Sequence, residues 1–317
     1  MAKKIVLDCD PGIDDALAIV YAVGSPELEL AGITTVAGNV SLAKTTANAL
    51  RVCEFLGADI PVTAGSAVPL LRPHLSAERV HGADGLGGAK LPPPATGPQP
   101  GHATDFIIET ILASPGEVTL VAVGPLTNIA LALRREPAIT AQVRDFVIMG
   151  GSASRGNVTP AAEFNIACDP EAASVVFSAD WTVTMVGLDV TLQARATQAV
   201  MARLGGLGRL ADELLLPCLG GYLNGDQGDP GLAGLPDGSG PAVHDVVAVA
   251  QVAHPELLGC KRARVDVETA GQWASGMTVT DFQAPPPACN ALVATTIDVP
   301  AFWNSILDTY SRIALTS

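Results

Sequence analysis

Short apolar runs alternate with segments of helical period along most of the chain, and that alternation restricts the fold more than any other feature. Runs at residues 4–7, 30–36, 59–63, 118–123, 146–149, 183–188 and 291–297 read as buried strands. Helical spacing occupies residues 13–23, 41–56, 128–135, 170–179 and 243–253. The first helix is entered at Pro11-Gly12 and left at Gly24-Ser25-Pro26, and Gly57 is suited to close the second. Strands separated by helices pair in parallel, because the crossover that returns the chain is the helix itself. The pattern therefore predicts an α/β fold: a single domain over residues 1–317, with a central, mostly parallel sheet of the Rossmann-like open type flanked by helices. In such sheets the ligand lies beyond the C-terminal ends of the strands. Two stretches break the pattern. Residues 91–101 carry five prolines and two glycines, and residues 217–241 carry eight glycines and four prolines. Neither suits regular structure, so flexible loops are expected near 72–101 and 217–241.

Composition then removes whole classes of partner. Of the 317 residues, 48% are hydrophobic, enough for a large core. The formal charge of −14 and pI near 4.6 oppose phosphate backbones and anionic membranes, so neither nucleic acid nor membrane is an expected partner. No run approaches the roughly 18 apolar residues of a membrane span. The opening Met-Ala-Lys-Lys leads into only three apolar residues before Asp8, too few for a signal peptide. Six scattered cysteines form no CxxC pair and read as free thiols of a reducing cytoplasm. Strand alternation turns Cys9 away from the acidic residues on either side of it, so a catalytic cysteine is not expected.

Asp8-Cys9-Asp10-Pro11-Gly12-Ile13-Asp14-Asp15 places four carboxylates within eight residues, directly after a strand. Asp8 and Asp10 share a face of the strand end, while Asp14 and Asp15 fall in the first turn of the next helix. The helix dipole welcomes one or two acids there, but it does not account for Asp8 and Asp10 as well. Four like charges this close need a cation, and an all-oxygen donor set selects Ca²⁺ or Mg²⁺. An EF-hand loop does not fit, because it needs Asp or Asn where Gly12 stands and Gly where Ile13 stands. An aspartyl-phosphate phosphatase using Asp8 or Asp10 matches the Asp-x-Asp pattern, but the later lysine and Gly-Asp pair have no convincing counterpart.

Further motifs follow in order: Val36-Ala37-Gly38-Asn39-Val40, Gly124-Pro125-Leu126-Thr127-Asn128, Met149-Gly150-Gly151, Ala162-Glu163-Phe164-Asn165, Asp169-Pro170-Glu171-Ala172 and Val243-His244-Asp245. With the acidic motif they make the chain similar to the inosine–uridine-preferring nucleoside hydrolases over nearly its whole length. The resemblance implies calcium-dependent hydrolysis of the N-glycosidic bond of ribonucleosides to free base and ribose, in catabolism and salvage. It implies Ca²⁺ ligands at Asp10, Asp15, Asp245 and the Val123 carbonyl. Ribose hydroxyls fall to Asp14, Asn39, Asn157, Glu163 and Asn165. Asp10 becomes the general base on a calcium-bound water, and His244 the group that protonates or orients the leaving base. Members are usually dimers or tetramers, so a homodimer or homotetramer is expected. A non-catalytic, calcium-stabilised nucleoside-binding protein is the rival outside enzymology.

Taken on their own residues, several of these positions have plainer explanations. Asn39 follows a glycine at a turn, where Asn is common for backbone reasons. Glu163, Phe164 and Asn165 are polar residues alternating about one aromatic, and Phe164 is grouped with them as a substrate contact. Met149 ends a strand beside the site and packs either on the sugar or in the core. His81, in a loop that in the family reaches the base, is a further candidate contact. Asp169-Pro170 reads as an N-cap with proline in the first turn. One departure stands out: the family's Tyr and Arg residues before the His-Asp pair give way here to the glycine-rich 217–241.

Overall fold

The computed structural model describes residues 2–224 and 239–313. Nine strands form one sheet: β1 (Lys3–Cys9), β2 (Leu28–Thr35), β3 (Val62–Ala64), β4 (Val118–Ala122), β5 (Asp145–Met149), β6 (Val183–Val186), β7 (Leu258–Val267), β8 (Thr278–Asp281) and β9 (Ala291–Ile297). Their order is β3-β2-β1-β4-β5-β6-β9-β7-β8. The seven strands from β3 to β9 run parallel, and β7 and β8 extend one edge as antiparallel partners. The chain thus starts in the middle, winds out through β2 to β3, and returns on the other side of β1 as β4. Ligand crevices open at such a reversal.

The first half of the molecule carries helices α1 (Ile13–Gly24), α2 (Leu42–Phe55), α3 (Glu78–His81), α4 (Ala103–Ala113), α5 (Thr127–Arg135) and α6 (Ile139–Gln142). The second carries α7 (Phe164–Cys168), α8 (Pro170–Phe177), α9 (Leu188–Thr191), α10 (Gln198–Leu204), α11 (Leu216–Asn224), α12 (Asp245–Ala253) and α13 (Val299–Ser311). They cover both sheet faces, and the strands show it by alternation. Ile5, Leu7 and Cys9 join the core under α1, α2, α12 and α13, while Val6 joins the core under α4, α5 and α8. Cys9 therefore points away from the acidic motif, as alternation predicts. Helix α1 is buried from Ile13 to Ala22, which is why its sequence lacks a polar stripe. Gly57, at φ +65°, ends α2 in the left-handed conformation that glycine adopts without cost. Asp169 caps α8 by accepting from the Ala172 N–H at 3.0 Å, with Pro170 in the first turn.

The predicted strands lie where the apolar runs are, with adjusted ends. The run at 59–63 becomes a strand only from Val62, since Pro61 has no N–H to give a ladder. The run at 183–188 stops at Val186, where Gly187 turns the chain into α9. One expectation is overturned. The beginning of 217–241 is not loop but helix α11, which continues a π-helical turn at Ala211–Leu215, and Pro217 lies just after that wider turn, where the regular hydrogen-bond ladder is already interrupted. Its glycines serve contact as well as turning: a Cβ on Gly221 would meet Gly87 Cα at 2.5 Å. The rest of that expected loop, 225–238, lies outside the described residues. Near 72–101 the chain is irregular apart from α3 and a bridge from Gln99 to Thr63.

Candidate active site

At the C-terminal ends of β1 and β4 the backbone opens around Asp10. Its Oδ2 accepts the Asn39 N–H at 2.6 Å. A Cβ on Gly38 would fall 2.1 Å from Oδ2, and one on Gly124 2.6 Å from Oδ1. Only glycine at both positions leaves room for this carboxylate. Asp15, one turn into α1, folds back over the strand end: Oδ1 accepts from Asp10 N at 3.0 Å, and Oδ2 from Gly12 N at 2.9 Å. The Asn39 amide then ties Asp10 to Asp15, donating to the Asp10 carbonyl at 3.2 Å and to Asp15 Oδ2 at 3.0 Å. Asp245 arrives from the first turn of α12. Asp14, Asp15 and Asp245 each bring a carboxylate oxygen within 4.8 Å of the others.

Asp8 plays a different part. It lies fully buried below the site, accepting from Thr34 Oγ1 at 2.5 Å and Asn128 Nδ2 at 2.8 Å. Asn128 also donates to the Thr35 carbonyl and accepts from Ser66 N, so Asp8 anchors the loops around the floor.

Burial pushes the acids up. Asp15 rises to about 7, and Asp10 and Asp245 go well above the usual carboxylate range, through desolvation first and mutual repulsion second. A bound cation removes both causes. Asp10 Oδ1 is buried with no hydrogen-bond partner among the described residues, which is where a missing ligand shows. The clustered carboxylates of Asp14, Asp15 and Asp245 and the unpartnered Oδ1 of Asp10 therefore fit a metal that takes oxygen donors. The Val123 carbonyl is beside them and accepts from Asn165 Nδ2 at 2.8 Å.

Above this floor opens a pocket with about 620 Å³ of empty space, part of it open solvent at the mouth. Asp14, Asn39, His81, Val123, Met149, Asn157, Glu163, Phe164, Asn165, His244 and Asp245 all line it. Asp10 and Asp15 sit just beneath, bonded to Asn39. Glu163 caps α7, its carboxylate accepting from Gly151, Asn165 and Ile166 N–H groups at 2.9, 2.9 and 3.2 Å. Desolvation raises it to about 7 despite those bonds. Asn165 also donates to the Met149 carbonyl at 3.1 Å, so Met149 is both buried core and pocket wall. Asn157 is exposed on the 150–161 loop and accepts from Phe164 N at 3.0 Å. That loop is pinned by Asp189, which accepts from Ala153 N at 2.7 Å and Ser154 Oγ at 2.6 Å.

Two histidines line the pocket. Nδ1 of His81 accepts the Ile13 N–H at 3.0 Å, so in this tautomer Nε2 carries the proton. His244, the N-cap residue of α12, donates its N–H to Asp14 Oδ2 at 3.2 Å, and its Nδ1 lies 2.8 Å from Thr191 Oγ1. Tyr222 of α11 completes the wall. Its hydroxyl donates to Asp14 Oδ1 at 2.7 Å, and its ring meets His81 edge-on at 5.5 Å. Sequence reading missed Tyr222, because the glycines on either side of it point to a loop. The available signal was that Tyr222 is the single aromatic residue in the glycine-rich 217–241.

The comparisons agree with this geometry. The family profile described as inosine-uridine preferring nucleoside hydrolase matches residues 5–304. The inosine-uridine preferring nucleoside hydrolase of Leishmania major is 44% identical over 317 residues, covering 99% of each chain. The pyrimidine-specific ribonucleoside hydrolase of Escherichia coli is 41% identical over 305 residues, covering 96% of each. Among solved structures, a purine-preferring ribonucleoside hydrolase from Gardnerella vaginalis superposes with a TM-score of 0.90 at 33% identity, covering 98% of both chains. Among the described residues no helix is long and apolar enough to cross a membrane. With an acidic floor able to hold a metal, a polar ring of Asn and Glu above it and this matched length, the chain belongs to the inosine-uridine preferring nucleoside hydrolase family and is an N-glycosidase.

Proposed function

We propose that the protein hydrolyses ribonucleosides of the inosine and uridine type to free base and ribose, with Ca²⁺ as its metal. One observation carries the reading: a single pocket joins a buried carboxylate floor to a ring of Asn and Glu side chains and a rim of histidines. A furanose presents hydroxyls that both donate and accept, and Asp14, Asn39, Asn157, Glu163 and Asn165 offer matching groups. Neither sugar nor base carries charge, which suits a chain of net charge −14.

Asp10, Asp15, Asp245 and the Val123 carbonyl are the groups that would hold calcium; when bound, it would lower the pKa of water. Asp10 accepts the proton of the attacking water, held in its cradle by the Asn39 N–H. As the bond from the anomeric carbon to the base nitrogen breaks, positive charge grows on the sugar, and the floor carboxylates stabilise it. His244 delivers a proton to the departing base. His81 and Phe164 flank that base, and Met149 packs beneath the sugar. Asp8 lies fully buried with its Oδ1 taken by Thr34 and Asn128, and it does not line the pocket, which argues against a phosphatase built on it. We further assign the protein to the cytoplasm as a homodimer or homotetramer, without nucleic-acid or membrane partners; sedimentation of the purified protein tests the assembly.

The test is release of reducing sugar from inosine and uridine, before and after exhaustive chelation and after Ca²⁺ is restored. Turnover that vanishes on chelation and returns with calcium supports the reading. Saturable nucleoside binding with no sugar released would leave a binding protein instead.

A further inference from the structure

Helix α9 is a single turn, Leu188–Thr191, and none of its residues belongs to a motif that identified the site. Thr191 is fully buried. Its backbone is spoken for within the turn, the N–H donating to the Gly187 carbonyl at 3.1 Å and the carbonyl accepting from Ala194 N at 3.1 Å. Its hydroxyl lies 2.8 Å from Nδ1 of His244, 53 residues away. The turn is fixed independently: Asp189 in the same turn holds the Ser152–Ser154 backbone, and Leu188 and Val190 are buried in the core. The hydroxyl is thus carried on a rigid support, and the imidazole it meets is half-buried on the pocket rim.

An imidazole turns freely about its χ2 unless one nitrogen is tied. With Nδ1 bound to Thr191, Nε2 is the nitrogen left for a ligand in the pocket. We propose that Thr191 is the positioning residue of His244, fixing the ring so that Nε2 addresses the leaving base. This rests on the assignment of His244 to the leaving group. In the step, the glycosidic electron pair moves onto the base nitrogen and the Nε2 proton passes to the base. The other ring proton stays on Nδ1, donated to Thr191 Oγ1, and the ring ends neutral. Threonine suits the place because its hydroxyl accepts that bond.

Three variants on two substrates test it. Inosine has a poor leaving group, whereas p-nitrophenyl riboside has one that departs without a proton. Thr191→Val keeps the shape and removes the hydroxyl. We expect it to lower kcat on inosine about 10–100-fold, the usual effect of removing a partner that orients a working imidazole, with KM little changed. On p-nitrophenyl riboside it should lose less than about threefold, and Thr191→Ser should restore most of the inosine rate. His244→Ala is measured beside them. If it is selective for inosine while Thr191→Val is not, or if Thr191→Ser is as impaired as Thr191→Val, the positioning role is overturned and the His244 assignment survives. If His244→Ala impairs both substrates equally, the assignment fails and the positioning role with it.

Discussion

Asp10 is confined on every side that the structure describes. The Asn39 N–H grips Oδ2, and a side chain at Gly38 or Gly124 would strike the carboxylate. Asp10→Asn fills the same cradle but cannot take a proton from water, so kcat should fall roughly 10²–10⁴-fold with the fold intact. A variant within about threefold of the parent enzyme would move the base elsewhere. The acids also set a pH signature for metal-free protein. Asp15 lies at about 7 in the fold against an ordinary 3.8, and Glu163 at about 7 against 4.5. Each is raised, so the folded state holds protons that the unfolded chain has released. The resulting stability is full below pH 4 or so and drains away as pH climbs through about 7. Chelated protein should therefore melt at a higher temperature at pH 5.5 than at pH 8, and added calcium should shrink the gap. A chelated protein that gains stability across that interval would mean the floor carboxylates are ionised without a cation.

The elements of the site differ in how readily their sequence announces them. Helix α1 and strand β1 declare themselves by period, and the acids between them by density. The 150–161 loop has no period to read, and its anchor, Asp189, sits 32 residues beyond Asn157 along the chain. Removing that anchor with Asp189→Ala should loosen Asn157 and raise KM for ribonucleosides more than it lowers kcat; an unchanged KM would show that the loop holds itself. Helix α11 was hidden for another reason: Gly220 and Gly221 depress helix propensity, and the need for Gly221, its close approach to Gly87, shows only in the folded chain. Strand β7 was hidden because its buried and exposed residues do not alternate cleanly and Lys261 and Arg262 interrupt it. Propensity and period are local, whereas these elements are held by partners far along the chain. Where the structure and the sequence pattern agree, as along β1, β4, β5 and β9, the strands carry buried apolar residues on both faces.

At the scale of the whole molecule, the parallel order β3-β2-β1-β4 makes the crevice, and strand ends, loops and first helical turns deliver the chemical groups to it. The seven-strand parallel body has two separate apolar cores, one on each face. Loss of the cation should thus lower the melting temperature without unfolding the chain, because a metal that binds only the folded state adds stability by mass action. Calorimetry with and without chelator measures this, and an apoprotein already unfolded at 25 °C would show the floor to be a folding requirement instead.

The hydrogen bond from His244 N to Asp14 joins residues 230 positions apart. The floor is incomplete in any shorter stretch: Asp10, Asp14 and Asp15 come from the start of the chain and Asp245 from α12, and they meet only when the chain between them has folded. In kinetic terms, metal capture belongs after the folding barrier rather than before it. Chelation should then quicken unfolding and leave the refolding rate in denaturant jumps as it was, placing the cation's whole effect in the lifetime of the finished protein.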